Sequence, residues 1–502
     1  MSRVRLYARN VAANYVGFAA NVVVAFFLTP FIVHTLGDTR YGIWSLLVSL
    51  AGYFGIVDIG VRGSLGRFVN YYLGKDSTRD VNEILSTAVV FFCLCGLSIV
   101  AVSGVIGYWL GDIFPKIEPE LLPQARIAVL LIGLNMWIGF LSAFPPVILR
   151  SQDRFDLATA VQLIGLAIRT GLTVWVLMAG WGLIALGLVQ VAMTTVQLAA
   201  GYAMAKRLWP PLRIRLGLAG LRRFREVMSF SVYAFVSNAS MQLALLSDML
   251  LITWFLGPAQ VAYYSVALVL VRHASRLVQM AGGVVVPEVT KQCGRGNMHE
   301  LQWLFRRAGD LMACIGIGLW VGIFVFGREF MHLWMGPDYD ISYWVVAILA
   351  VGQVPVIIAS LAQPIASGLG YVKTMATVNV LRVLMNVGVT VLFLVLGWGL
   401  RGVACGTTVS NIAGILTIVV LVLRWINLSL KTYVEQSVVR WFALGCAFAG
   451  MSYLVVLALP RDGWAWFAVK ASISLCLYLP MVWWLVLPRS DRERILRKAK
   501  VY

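Results

Sequence analysis

The run Gly171-Leu-Thr-Val-Trp-Val-Leu-Met-Ala-Gly-Trp-Gly-Leu183 returns 217 residues later as Gly388-Val-Thr-Val-Leu-Phe-Leu-Val-Leu-Gly-Trp-Gly-Leu400. Spacing is identical between the Gly-x-Thr-Val start and the Gly-Trp-Gly-Leu end of each copy. A weaker pair, Leu36-Gly37 and Leu256-Gly257, lies at an offset of 220. Two anchors at nearly one offset predict an internal duplication. If the unit contains six membrane-crossing helices, an even number, both copies enter the membrane in the same orientation. That arrangement has a pseudo-two-fold axis along the membrane normal, and transporters built this way hold their site between the halves.

Composition supports the membrane reading. Of 502 residues, 60% are apolar and 13% charged, whereas soluble domains run near 45–50% and about 25%. A soluble enzyme, a disordered chain and a disulfide scaffold are excluded. Windows of about 20 apolar residues give fourteen helices, an all-α integral membrane protein. The spans are 11–34, 41–62, 86–110, 124–149, 158–179, 182–205, 229–256, 260–289, 308–327, 342–369, 376–396, 400–423, 441–459 and 464–487. The expected organisation is an N-terminal lobe over 1–205, a basic cytoplasmic linker over 206–228, a second lobe over 229–423, and two further helices with a basic tail over 424–502. The apolar stretch from Val11 to Val33 is too long for a signal-peptide core and lacks a small-residue cleavage site, so it reads as a retained first span.

Net charge is +19. With the first residues placed in the cytoplasm, the inner segments hold 30 basic residues and the outer loops 5. That asymmetry puts both termini inside and makes most of the charge a topology signal. The basic 206–225 loop and the tail read as contacts with anionic membrane lipids. They lack the domain context for nucleic acid. Six cations remain within the spans: Arg126, Arg169, Arg272, Arg276, Arg382 and Lys470.

The seven cysteines form no CxxC pair or His-spaced cluster. They read as small apolar fillers, so no disulfide, metal or cofactor is expected.

The polar residues within the spans fall in stripes. Arg272, Arg276 and Gln279 share a face of the eighth span, with His273 the next residue round. Asn379, Arg382 and Asn386 share one in the eleventh. Gln162, Arg169 and Thr173 do so in the fifth, and Asn14 and Asn21 in the first. Lys470 is an outlying cation. Charged groups at mid-membrane are costly and face a cavity or a partner. Guanidinium forks suit phosphate oxygens, and amides suit sugar hydroxyls. An ion pair or a satisfied buried side chain is the alternative for each. Two carboxylates, Asp58 and Asp248, would serve coupling to a proton or Na⁺ gradient. Their alternative is a salt bridge, Asp58 with Arg62 and Asp248 with a cavity arginine.

Leu28-Thr-Pro30-Phe-Ile, Leu36-Gly37-Asp-Thr-Arg-Tyr41-Gly42 and Asp58-Ile-Gly60 resemble the start of the Wzx-type polysaccharide and O-antigen flippases. These belong to the multidrug/oligosaccharidyl-lipid/polysaccharide (MOP) exporter superfamily. Asp248, Leu256-Gly257 and Tyr263-Tyr264-Ser265 resemble the start of that family's second lobe, and Gly336-Pro337-Asp338-Tyr339 an outer-loop motif. The resemblance implies a bacterial inner-membrane transporter that moves a polyprenyl-pyrophosphate-linked oligosaccharide to the outer leaflet. It also implies polysaccharide polymerase or glycosyltransferase partners. A drug or organic-cation antiporter of the same superfamily would want an acidic cavity, and a lipid II flippase a different first-helix pattern. A membrane polymerase or ligase would need a long catalytic outer loop. The longest here, 328–341, carries Asp338-Tyr-Asp340, which reads as an acidic turn, with His332 lacking an evident partner. There is no Walker A run for an ATPase motor.

Overall fold

The computed structural model describes residues 3–55, 59–152, 154–229, 246–283, 285–359 and 361–486. Every regular element among them is helical. The chain divides into two compact units, Met1–Ser265 and Val266–Tyr502.

In the first unit the helices are α1 (Arg3–Leu36), α2 (Asp38–Phe54), α3 (Ile59–Leu73), α4 (Thr78–Tyr108), α5 (Leu122–Leu141), α6 (Phe144–Ser151), α7 (Phe155–Met178), α8 (Gly182–Leu208) and α9 (Leu221–Ser229). A short apolar helix, α10 (Leu246–Phe255), follows. Helix α11 (Pro258–Gly283) begins in the first unit and runs into the second. The second unit continues with α12 (Val286–Arg295), α13 (Met298–Met335), α14 (Asp340–Ala359), α15 (Ala362–Gly368), α16 (Val372–Val395), α17 (Gly399–Trp425), α18 (Val439–Ala458) and α19 (Trp464–Leu485).

Among the described residues, eleven helices are long and apolar enough to cross a membrane. They coincide with eleven of the fourteen expected spans. The other three have separate reasons. Helix α2 has 17 residues, and residues 56–58 of the second expected span lie outside the described residues. The seventh is described only over Leu246–Phe255. The eighth, α11, is a continuous helix of 26 residues, but Arg272, His273 and Arg276 lower its hydropathy. Two segments expected as cytoplasmic loops are largely helical: α3 with the first turns of α4 fills most of 62–85, and α12 with the first turns of α13 fills most of 290–307.

The duplication is visible in the backbone. Helices α7 and α16 both have 24 residues, α8 and α17 both have 27, and every boundary is displaced by 217. Each hairpin turns through a left-handed glycine, Gly180 at φ 76° and Gly397 at φ 80°. In both, the glycine N–H and the following tryptophan N–H close back on the helix: Gly180 on Leu177 and Trp181 on Val176, Gly397 on Leu394 and Trp398 on Phe393. This closure satisfies carbonyls that a helix end leaves unpaired. The second anchor also holds, with Gly37 at φ 78° and Gly257 at φ 99°.

Packing within each unit relies on close approach, because burial in lipid gives helices little hydrophobic reason to associate. In the first unit a Cβ on Gly42 would sit 1.8 Å from the Pro258 carbonyl oxygen. Leu65, Val69, Ile84, Phe92, Phe140 and Ile148 form a core across α3 to α6, with Phe92 on Phe140 at 5.4 Å between ring centres. In the second unit α13 carries α18 and α19. The Trp441 indole donates to Asp310 at 2.9 Å, and Phe448 meets Tyr478 at 4.4 Å.

Candidate functional site

The polar stripe on α16 is real, and its three members have different surroundings. Asn386 is almost fully enclosed and donates through Nδ2 to the Thr407 hydroxyl of α17 at 3.0 Å. Asn379 is also buried. Arg382, between them, is half-buried and donates through Nη1 to Asn411 Oδ1 of α17 at 3.2 Å. Its Nε is buried without a partner among the described residues. Space for the side chain comes from Gly414, where a Cβ would lie 2.7 Å from Arg382 Cδ. An amide cannot neutralise a guanidinium, so among the described residues Arg382 has no compensating charge and has a donor left over, a suitable arrangement for an anionic oxygen.

In the first unit, Gln162 on α7 is exposed, Thr173 is buried, and Arg169 is half-buried with no ion pair among the described residues. The seam between α7 and α8 is filled by Gln197, whose Nε2 would be 1.8 Å from a Cβ on Gly165. Thr194 on α8 donates to Asn135 of α5 at 2.7 Å.

On α11, Arg272, Arg276 and Gln279 share one exposed face, with half-buried His273 beside it. Ser275 on the other side donates to Gln353 of α14 at 3.2 Å. Asp248 on α10 is 2% exposed and accepts a 2.6 Å hydrogen bond from the Tyr264 hydroxyl. Asn21 is exposed and donates to the Gly17 carbonyl of its own helix at 2.8 Å. Asp58 and the Asn14 side chain lie outside the described residues.

Lys470 is 2% exposed, and its ammonium donates to both oxygens of Glu329 at 2.9 Å. This buried pair joins α19 to α13 and satisfies the charge locally. His332 also has a partner. Asp340 accepts from Arg328 Nε at 2.7 Å and lies 3.1 Å from His332 Nε2. The acidic residue thereby ties the end of α13 to the start of α14.

Sequence stripes alone do not name Asn411, Thr407, Gly414, Tyr264 or Glu329. Three could have been found from the repeat, because Thr407, Asn411 and Gly414 stand at the positions of Gln190, Thr194 and Gln197 when the 217-residue offset is applied.

A sequence profile described as polysaccharide biosynthesis protein matches residues 7–292. The putative O-antigen transporter of Shigella flexneri is 20% identical over 435 residues, covering 83% of this chain and 97% of that protein. The uncharacterized membrane protein EpsK of Bacillus subtilis is 21% identical over 336 residues, 66% of each chain. In fold, the chain is similar to the lipid II flippase MurJ in an inward closed conformation, with a TM-score of 0.72 and 15% identity over 94% of this chain and 98% of that one. It is also similar to an inward-facing multidrug resistance transporter of the MATE family, in the MOP superfamily, with a TM-score of 0.67 and 14% identity over 82% and 94%.

Proposed function

We propose that this chain, which belongs to the polysaccharide biosynthesis protein family, is a secondary transporter for an anionic lipid-linked oligosaccharide. In this reading it flips a polyprenyl-pyrophosphate-linked glycan from the cytoplasmic to the outer leaflet of a bacterial inner membrane by alternating access. Both termini lie in the cytoplasm. The product would be consumed by a polysaccharide polymerase or glycosyltransferase.

The observation that carries the reading is Arg382. A guanidinium inside a membrane-crossing hairpin is expensive, and a carboxylate partner would remove the cost. Here the partner is Asn411, a neutral amide. Among the described residues the charge has no acidic partner and the Nε no acceptor, which suits a pyrophosphate oxygen. Arg169, Arg272 and Arg276 extend the same chemistry, whereas Lys470 is neutralised by Glu329. An organic cation would be repelled by this set. Asp248, held by Tyr264, is the group proposed to exchange the coupling ion, with Asp58 as the second candidate.

The test is a flip assay in proteoliposomes with a labelled polyprenyl-pyrophosphate oligosaccharide, with and without an imposed ion gradient. Arg382→Ala is expected to reduce the rate at least tenfold at matched protein level, since one charge-assisted contact contributes about 1.5–3 kcal/mol. Asp248→Asn is expected to abolish the gradient dependence while leaving equilibration intact. Full activity in Arg382→Ala and in an Arg272→Ala/Arg276→Ala double variant sinks the substrate assignment.

A further inference from the structure

We infer that the segment joining α8 to α9 is a preassembled docking surface for anionic phospholipid headgroups of the cytoplasmic leaflet. This stands on the local structure of the first unit and is independent of what the protein transports.

Three side chains on the first turns of α4 stitch the segment down. Asn82 accepts from the Arg213 N–H at 2.8 Å and donates to the Pro211 carbonyl at 2.9 Å. Ser86 accepts from the Arg215 N–H at 3.1 Å, and Thr87 from the Gly220 N–H at 3.1 Å. Arg215 is extended ahead of a short 3-10 turn over Leu216–Leu218, and burial alternates along the residues that lead up to it. Leu212 is buried and Ile214 packs on the core, while Arg213 and Arg215 are exposed.

Three nearby acids converge on one arginine, Glu83 also taking Arg79 at 2.9 Å. Arg223 is buried, pairs with Asp80, with Glu83 at 3.1 Å and with Glu226 at 3.0 Å, and donates to the Tyr72 hydroxyl at 2.8 Å. Burial pulls its pKa down, but the bonds to Glu226 and Glu83 outweigh that and hold it above its ordinary value. Lys206 is likewise turned inward, onto the carbonyls of Pro210 and Leu212. Five cations remain outside: Arg207, Arg213, Arg215, Arg222 and Arg225. All are exposed, and none has an ion pair among the described residues. Leu216 at 80% and Leu221 at 64% exposure stand among them. Uncompensated cations with projecting apolar tips are the pattern of an anionic bilayer interface. An acidic soluble protein would match the charges and leave the leucines without a use.

Position agrees. Helix α4 has 31 residues, about 46 Å at 1.5 Å per residue, against a hydrocarbon core of roughly 30 Å. The excess of about 16 Å is long enough to carry its first turns, where the stitches are, out to headgroup depth.

The test uses the full chain in a cysteine-free background, with a nitroxide on Leu216→Cys. It is reconstituted in phosphatidylcholine vesicles with or without roughly one part in four of phosphatidylglycerol. With the anionic lipid, the label is expected to gain oxygen accessibility and to lose accessibility to a water-soluble nickel chelate severalfold. High salt is expected to reverse this in the labelled protein with its arginines intact, and Arg213→Gln/Arg215→Gln to weaken it at least fivefold. The arginine substitutions spare the backbone stitches, and the salt titration leaves every arginine in place. Equal accessibility in both vesicle types, indifference to salt, or shielding that requires an added acidic protein instead of the lipid overturns the inference.

Discussion

The hairpins α7–α8 and α16–α17 have the same helix lengths, the same glycine turn and the same closing hydrogen bonds, yet their seams are filled from opposite sides. In the first unit α7 supplies the hole, Gly165, and α8 the knob, Gln197. In the second unit α16 supplies the knob, Arg382, and α17 the hole, Gly414. These are the same two positions under the 217-residue offset. The backbone frame is duplicated, while the polar group in the frame has changed from a neutral amide to a guanidinium. Arg169 stands where the second unit has Asn386, so each α7-type helix carries one arginine, one turn apart. Helix punctuation fixes the geometry, and the seam holds the polar group that differs.

The comparison breaks most severely at Gly406. Its equivalent in the first unit is Val189, yet a Cβ on Gly406 would lie 2.2 Å from the Thr390 hydroxyl oxygen, 2.8 Å from its Cα and 2.9 Å from its backbone nitrogen. Backbone cannot swing aside as a side chain can. Gly406→Val is therefore expected to cost about 3 kcal/mol or more and to leave little monodisperse protein on fluorescence-detected gel filtration. A Gly406→Val protein that melts as the parent does would show that the second hairpin is no tighter than the first.

A milder test exchanges the knob. Gly414→Gln alone drives a side chain into Arg382 and is expected to destabilise by about 2 kcal/mol. Adding Arg382→Gly rebuilds the first unit's arrangement, and stability is expected to return to within about 1.5 kcal/mol of the parent. Transport should not return, because the cation is gone. A double variant as unstable as the single one would mean that the two seams are not interchangeable frames.

Much of this frame was readable from residue order. The fifth, sixth, eleventh and twelfth spans were bounded by Gly-Trp-Gly runs, and the helices end within a few residues of the expected limits. The helical parts of 62–85 and 290–307 were not readable, because short amphipathic helices at a membrane border carry the polar composition of loops. For the site, periodicity put Asn379, Arg382 and Asn386 on one face but could not say what that face meets. Asn386 is used up by Thr407, and Arg382 is left with donors to spare. Lys470 shows the same limit. Its partner Glu329 is 141 residues away, and no local pattern links them.

The smallest expected effects are the most direct measure of whether the two turns are physically equivalent. Gly180 and Gly397 sit at φ 76° and 80°, where a Cβ crowds the chain's own backbone, at roughly 1–2 kcal/mol per residue. Beyond its two chain neighbours, neither position has a described atom within 4 Å of an added Cβ, so the penalty is conformational strain and not packing. Gly180→Ala and Gly397→Ala are therefore each expected to cost about 1 kcal/mol. The two losses should agree within about 0.5 kcal/mol, and the double variant should show their sum, since each penalty is local to its own turn. Thermal unfolding of the three proteins in one detergent measures this. Unequal losses would mean that one turn is held by something beyond its own backbone, and the duplication would then be one of helix lengths and not of local structure.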